Sequence, residues 1–183
     1  MALLGRCAMN LNSYRAKSPW ILHYNCGSCN GCDIEILACL GPTYDIERFG
    51  MINRGNPKQS DIMLITGPVT MRARERIVDL YTQMPEPKVV VAVGSCTCTG
   101  GVFRGMYNVE DGLDRYIPVD VYVPGCAARP EQIIQGVAQA LEILSQKGKT
   151  IEKPKKLLGR LKDYLGQIDR RNLAAKINRE ENG

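Results

Sequence analysis

Four short stretches of the chain, residues 20–24, 62–66, 88–93 and 119–123, are apolar over several consecutive positions, and each runs into a Gly, Asn or Pro. Runs without apolar–polar alternation mark strands buried on both faces, the habit of a parallel sheet. Helical spacing takes over at residues 34–40, 69–84 and 130–145. The last of these opens on Pro130 and Glu131. Proline needs no amide partner in a first turn, and an acid there complements the helix dipole. Strands alternating with helices predict an α/β fold on a parallel sheet. Beyond residue 150, Leu157, Leu158, Leu161, Leu165 and Ile168 recur as one apolar helical stripe. The expected organisation is an N-terminal segment 1–16, an α/β domain 17–150 and a helical tail 151–183.

With 183 residues, 44% of them hydrophobic, the chain can bury a core of its own without disulfide staples. No apolar run approaches the roughly 20 residues of a membrane-spanning helix. The first residues lack a basic stretch followed by a long apolar one, so no secretory signal is expected. The eight cysteines are then expected to be reduced thiols, and metal binding or catalysis is the better reading of them. The net charge of +5 is concentrated in the tail, where nine Lys/Arg face five Asp/Glu across residues 151–183. A basic amphipathic tail is either a solvated helix or a docking element for a partner or a membrane surface. A nearly neutral body with only 6% aromatic residues argues against a nucleic-acid binder.

The cysteines sit where the strands end. The first run leads into Asn25-Cys26-Gly27-Ser28-Cys29-Asn30-Gly31-Cys32, the third into Gly94-Ser95-Cys96-Thr97-Cys98, and the fourth into Pro124-Gly125-Cys126. In an open α/β sheet, ligands bind outside the carboxyl ends of the strands, so three such loops are expected to converge on one edge. Thiolates gathered there suit tetrahedral zinc or an iron–sulfur cluster. Zinc sites usually come as two close pairs in a small domain. One close pair with two distant single cysteines on a full-sized sheet favours a cluster lodged between loops. Gly31, Gly94 and Gly125 beside the cysteines let backbone N–H groups approach the sulfurs.

Other readings fit less well. Cys26, Cys29 and Cys32 are spaced like a bacterial ferredoxin run, but the next cysteine, Cys39, is too far on and precedes Leu40 instead of proline. A redox Cys-x-x-Cys pair leaves Cys96 and Cys126 unexplained. Gly148-Lys149-Thr150 ends like a phosphate-binding loop, but Ile143 stands where the first glycine is needed, and a helix precedes it. His23 is the only histidine and lies in a strand, which suits a structural role.

The order of motifs carries a resemblance. Ser28-Cys29-Asn30-Gly31-Cys32-Asp33-Ile34-Glu35, Thr66-Gly67-Pro68-Val69-Thr70, Gly94-Ser95-Cys96 and Val123-Pro124-Gly125-Cys126 with Arg129-Pro130-Glu131 closely resemble the small subunit of membrane-bound, energy-converting [NiFe] hydrogenases of the Ech type. These belong to the family of the 20 kDa subunit of respiratory complex I. The resemblance covers about residues 17–147; Thr97-Cys98-Thr99-Gly100-Gly101 and Ala127-Ala128 look like the Ech branch. It implies a flavodoxin-like domain holding one [4Fe–4S] cluster, proximal to the large subunit's active site, on Cys29, Cys32, Cys96 and Cys126. The complex I branch has adjacent cysteines at the first pair; Gly31-Cys32 with Cys29 is the hydrogenase pattern. Cys26 and Cys98 are then surplus to the cluster.

The implied function is electron transfer, without a catalytic site of its own, in a ferredoxin-linked hydrogenase that reduces protons. A nickel-free relative, sulfur-reducing or complex I-like, is the alternative. The implied partners are a hydrogenase large subunit, a ferredoxin-like iron–sulfur subunit and membrane-embedded ion-translocating subunits. The implied place is peripheral, on the cytoplasmic face of the membrane. Glu35, three residues after Cys32, is either a first-turn acid of the helix or a proton relay towards the large subunit. Arg129 suits the cluster surroundings, the subunit interface or a plain surface, and Arg72, Arg74 and Arg76 an exposed helix face or, second to it, partner docking.

Overall fold

The computed structural model describes residues 18–147, so the segment 1–16 and the tail 151–183 expected from the sequence lie outside the described residues. In chain order the elements are β1 (Trp20–Asn25), α1 (Gly31–Leu40), β2 (Ile52–Asn53), β3 (Ile62–Thr66), β4 (Val69–Thr70), α2 (Met71–Gln83), β5 (Val89–Val93), α3 (Ser95–Thr99), β6 (Val109–Glu110), β7 (Val121–Val123) and α4 (Pro130–Lys147). Short 3₁₀ turns fill several connections. Five strands form one parallel sheet in the order β2-β1-β3-β5-β7. Counted along the chain, this is the flavodoxin-like order, with its switch point between β1 and β3.

The unalternating runs behave as their composition dictates. Every residue of β3 and of β5 is buried. Ile62, Leu64, Val89 and Val91 face a core closed by α1 and α4. Met63, Ile65, Val90 and Ala92 alternate onto the opposite face and are buried there too. A right-handed crossover from β3 to β5 puts α2 on that side. Helix α2 buries Ala73, Ile77, Val78 and Tyr81, and the Thr70 hydroxyl caps it by accepting from the Ala73 N–H at 3.3 Å.

Three differences from the sequence pattern have physical reasons. The run 119–123 contracts to Val121–Val123, with Tyr122 47% exposed, because β7 is an edge strand with one neighbour. Lys88 is not part of β5. It is buried, and its ammonium donates to the carbonyls of Tyr81 at 2.7 Å and Met84 at 3.2 Å, capping the last turn of α2. Val69 and Thr70 do not open the helix. They pair antiparallel with Val109 and Glu110 in a ribbon whose strands are too short to show a period.

Helix α4 lies hard against β7 at Gly136, where an added Cβ would overlap Val123 Cγ2. Gly136→Ala gains about 0.5–1 kcal/mol of helix propensity and loses about 1–3 kcal/mol to overpacking. Chemical denaturation of the full chain should therefore show a net loss of stability, with an unchanged helical spectrum.

Candidate functional site

Strand register delivers the cysteines to one edge. Asn25 is paired with Thr66, Thr66 with Val93, and Val93 with Val123, so four strands end at the same level. Cys29 lies in the loop after β1 and Cys32 in the first turn of α1. Cys96 is carried by α3, directly after β5, and Cys126 by the loop between β7 and α4. Backbone bonds tie these loops together. The Ser95 N–H donates to the Gly125 carbonyl at 2.9 Å, and the Gly125 N–H to Ser95 Oγ at 3.3 Å. The buried Thr97 hydroxyl reaches the Gly67 carbonyl at 2.9 Å and the Val93 carbonyl at 2.8 Å.

Two glycines set how closely the loops approach. Gly94 has φ +90°, and a Cβ there would stand 2.7 Å from Cys32 Sγ. Gly67 has φ +80°, and a Cβ there would stand 2.5 Å from the Ser28 nitrogen. Side chains rarely adopt such φ values, and neither position has room for one.

Cys32 and Cys96 feel the neighbouring sulfurs. Burial pushes the Cys32 thiol up, with the charges of Cys29, Asp33 and Cys126 adding to it; a hydrogen bond from the Ala128 backbone opposes them. Burial likewise raises Cys96, reinforced by Cys126, Cys32 and Cys29. Thiols held protonated by burial and neighbouring charge become ligands when a cationic centre compensates their charge, which is how metal binding releases their protons. Among the described residues, no three His, Cys, Asp or Glu side chains are grouped to hold one metal ion. A single zinc needs its sulfurs at about 2.3 Å from one centre. A polynuclear cluster gives each thiolate its own iron, and the chemistry of this all-thiol donor set fits an iron–sulfur cluster. Cys29 and Cys126 are exposed and Cys32 and Cys96 half-buried, so the site opens on the surface. Exposed apolar side chains lie nearby in the chain, Ile34 and Leu37 on α1 and Val102 after α3.

The remaining cysteines are set differently. Cys26 is 1% exposed and its thiol is driven far up by burial. Cys39 is buried in the α1–α4 core, donates weakly to the Pro130 carbonyl at 3.6 Å and is pushed up to about 11. Cys98 is half-buried and also pushed up to about 11, first by burial and then by the charges of Cys32 and Asp114. Cys7 lies outside the described residues.

Sequence reasoning gave Asp33 no role, yet it is the polar centre of the site. Its Oδ1 accepts from the Thr66 hydroxyl at 2.6 Å and stands 2.8 Å from His23 Nε2. Its Oδ2 accepts from Asn25 Nδ2 at 2.9 Å and from the Ser28 hydroxyl. Burial works against the Asp33 carboxylate, but the Ser28 and Thr66 hydroxyls and the imidazole outweigh it and hold its pKa low. The signal available in the sequence was Asn25, Ser28 and Asn30 around the cysteines, residue types that bind nearby backbone and acids in tight loops. His23 is thus partnered within the chain. Glu35 is half-buried, and its charge acts on Cys39 and Tyr44. Arg129, Arg72 and Arg76 are exposed, whereas Arg74 is half-buried, 3.2 Å from Glu110 and over the Tyr116 ring.

The family described as NADH ubiquinone oxidoreductase, 20 Kd subunit, matches residues 29–140. A probable membrane-bound hydrogenase subunit of Pyrococcus furiosus is 52% identical over 136 residues, covering 74% of this chain and 81% of the relative. An NADH-quinone oxidoreductase subunit of Chlorobium limicola is 46% identical over 135 residues, 73% of this chain and 70% of the relative. Among solved structures, a chain of the membrane-bound sulfane sulfur reductase, an archaeal respiratory membrane complex, superposes with a TM-score of 0.70 at 37% identity. The match spans 86% of this chain and 89% of that one.

Gly94→Ala forces a side chain onto Cys32 Sγ and should leave the fold intact while stripping bound metal, measured as metal per chain. Gly55→Ala is the control, since a Cβ there meets nothing within 4 Å, and it should keep the wild-type metal content.

Proposed function

This chain belongs to the family of the 20 kDa subunit of NADH ubiquinone oxidoreductase, and from that premise we propose that it is the iron–sulfur electron-transfer subunit of a membrane-bound, energy-converting [NiFe] hydrogenase. It would carry the proximal [4Fe–4S] cluster, which serves proton reduction at the active site of a large subunit, with ferredoxin as the electron source. The observation that carries the reading is the level ending of β1, β5 and β7, from which Cys29, Cys32, Cys96 and Cys126 come within electrostatic reach of one another.

A [4Fe–4S] cluster supplies, when bound, a one-electron relay. Cys29, Cys32, Cys96 and Cys126 would be its thiolate ligands. The Ala128 backbone N–H, which bonds the Cys32 sulfur, would stabilise negative charge on that ligand. Thr97 and Ser95 fix the loops that carry Cys96 and Cys126. The exposed apolar side chains Ile34 and Leu37 suit contact with the large subunit. No described helix is long and apolar enough to cross a membrane, which fits a peripheral subunit on the cytoplasmic face, held by ion-translocating membrane partners and a ferredoxin-like subunit. In this reading the chain contributes to an oxidoreductase complex without being its catalytic subunit. Glu35 remains the proposed proton relay, and unchanged turnover in Glu35→Gln with an intact cluster would remove that role.

The likeness to the sulfane sulfur reductase chain favours a second reading, in which the same subunit serves a nickel-free complex. The pattern Cys29-Asn30-Gly31-Cys32 and the hydrogenase relative at 52% identity put the first reading ahead. Iron and nickel measured on the native complex, isolated without air through a tag on this chain, decide between them. Iron with nickel is expected; iron without nickel transfers the chain to the second reading. Serine in place of Cys29, Cys32, Cys96 or Cys126 should depress ferredoxin-driven turnover by more than the roughly 10–100-fold typical of outer partners of metal ligands. Cys39→Ser should not.

A further inference from the structure

One carboxylate joins the cysteine loop to the sheet. Asp33 follows Cys32 directly and takes hydrogen bonds on both oxygens. On one side it holds Asn25, the last residue of β1, and Ser28, in the loop that carries Cys29. On the other it holds Thr66, the last residue of the central strand β3, and His23 of β1. The loop repeats the connection from within. Asn25 Oδ1 accepts from the N–H groups of Gly27 at 2.7 Å and Ser28 at 2.8 Å, and Ser28 Oγ accepts from the Asn30 N–H at 3.0 Å. Asn25 Nδ2 also donates to Ser28 Oγ at 2.8 Å. Each bond from backbone to Asn25 or Ser28 therefore ends on Asp33 within one further bond.

We propose that Asp33 is the positioning residue of the metal centre: its carboxylate locks the loop that follows Asn25 onto β1 and β3, so fixing Cys29 relative to Cys32, and sets a negative charge beside the cluster. This rests on the cluster reading above and adds a role that the four thiolates do not supply. The geometry explains why the residue is an acid. Asparagine has the same shape, but its amide can accept on one side only. Asn25 Nδ2 cannot reverse its donor role, so any orientation of an amide at position 33 loses a bond or the charge that strengthens it. A formal negative charge next to the cluster also disfavours its reduction, because reduction makes the cluster more anionic.

The test uses the intact complex carrying wild type, Asp33→Asn or Ser28→Ala in this chain. Two properties are read: the midpoint potential of the cluster by redox titration followed by electron paramagnetic resonance, and the rate of iron loss to a chelator. Ser28→Ala removes three bonds, the one to Asp33 and those accepted from Asn25 Nδ2 and the Asn30 N–H, and keeps the charge. It should release iron at least roughly tenfold faster, the effect of losing the bond to the charged group alone, at an unchanged potential. Asp33→Asn should release iron faster still and raise the potential. A merely structural aspartate would leave the potential of the surviving clusters where it was, and that result overturns the proposal. If Asp33→Asn yields no assembled complex, Ser28→Ala decides, and chelation at the wild-type rate overturns it. A wild-type complex in which this chain holds no cluster refutes the cluster reading itself, which is a different failure.

Discussion

The parallel ladder is the constraint on which the rest of this structure depends. Asn25, Thr66, Val93 and Val123 stand in register across β1, β3, β5 and β7. A slip of one residue in any pairing would turn every side chain of that strand to the other face. With β3 and β5 buried on both sides, such a slip exchanges the contents of two cores, so packing fixes the register firmly. The same register decides the level at which each strand stops. The positions of the four cysteines are thus a by-product of core packing, and the loops need only short reaches to bring them together.

The loops are stiffened because the thiols do not favour one another. Cys32 and Cys96 are both held protonated by burial and by neighbouring sulfur charge, so nothing in the bare thiols draws them to a common point. Convergence has to be imposed from the scaffold. Thr97 pins α3 to the loop after β3, Ser95 pins the loop after β5 to that after β7, and Asp33 pins the first cysteine loop to the strands beneath it. In the proposed role, ligands preorganised in this way would leave a cationic cluster only the thiol protons to displace.

Much of this was legible in the sequence, for identifiable reasons. Residues 62–66 and 89–93 are apolar without alternation, and that alone gives buried parallel strands; the element order then gives the α/β fold. The cysteines follow strand ends, which gives the site edge. What escaped were features with no period or no local signature. Two-residue strands such as Val69–Thr70 cannot show alternation, and the helix Ser95–Thr99 is barely more than one turn. Lys88 looked like the start of a strand because its role, capping a helix seven residues earlier, needs the tertiary fold. Asp33 was hidden in a motif that the cysteines dominate, since its partners His23 and Thr66 come from two other strands.

Counting iron and acid-labile sulfide on the full-length chain purified without air tests the central claim most directly, in wild type beside Cys126→Ser and Cys26→Ser. Four thiolates from three strand ends holding one cluster predict about four iron and four sulfide per chain. That content should be lost in Cys126→Ser and kept in Cys26→Ser. Zinc without sulfide, or an iron content indifferent to Cys126, would contradict the account.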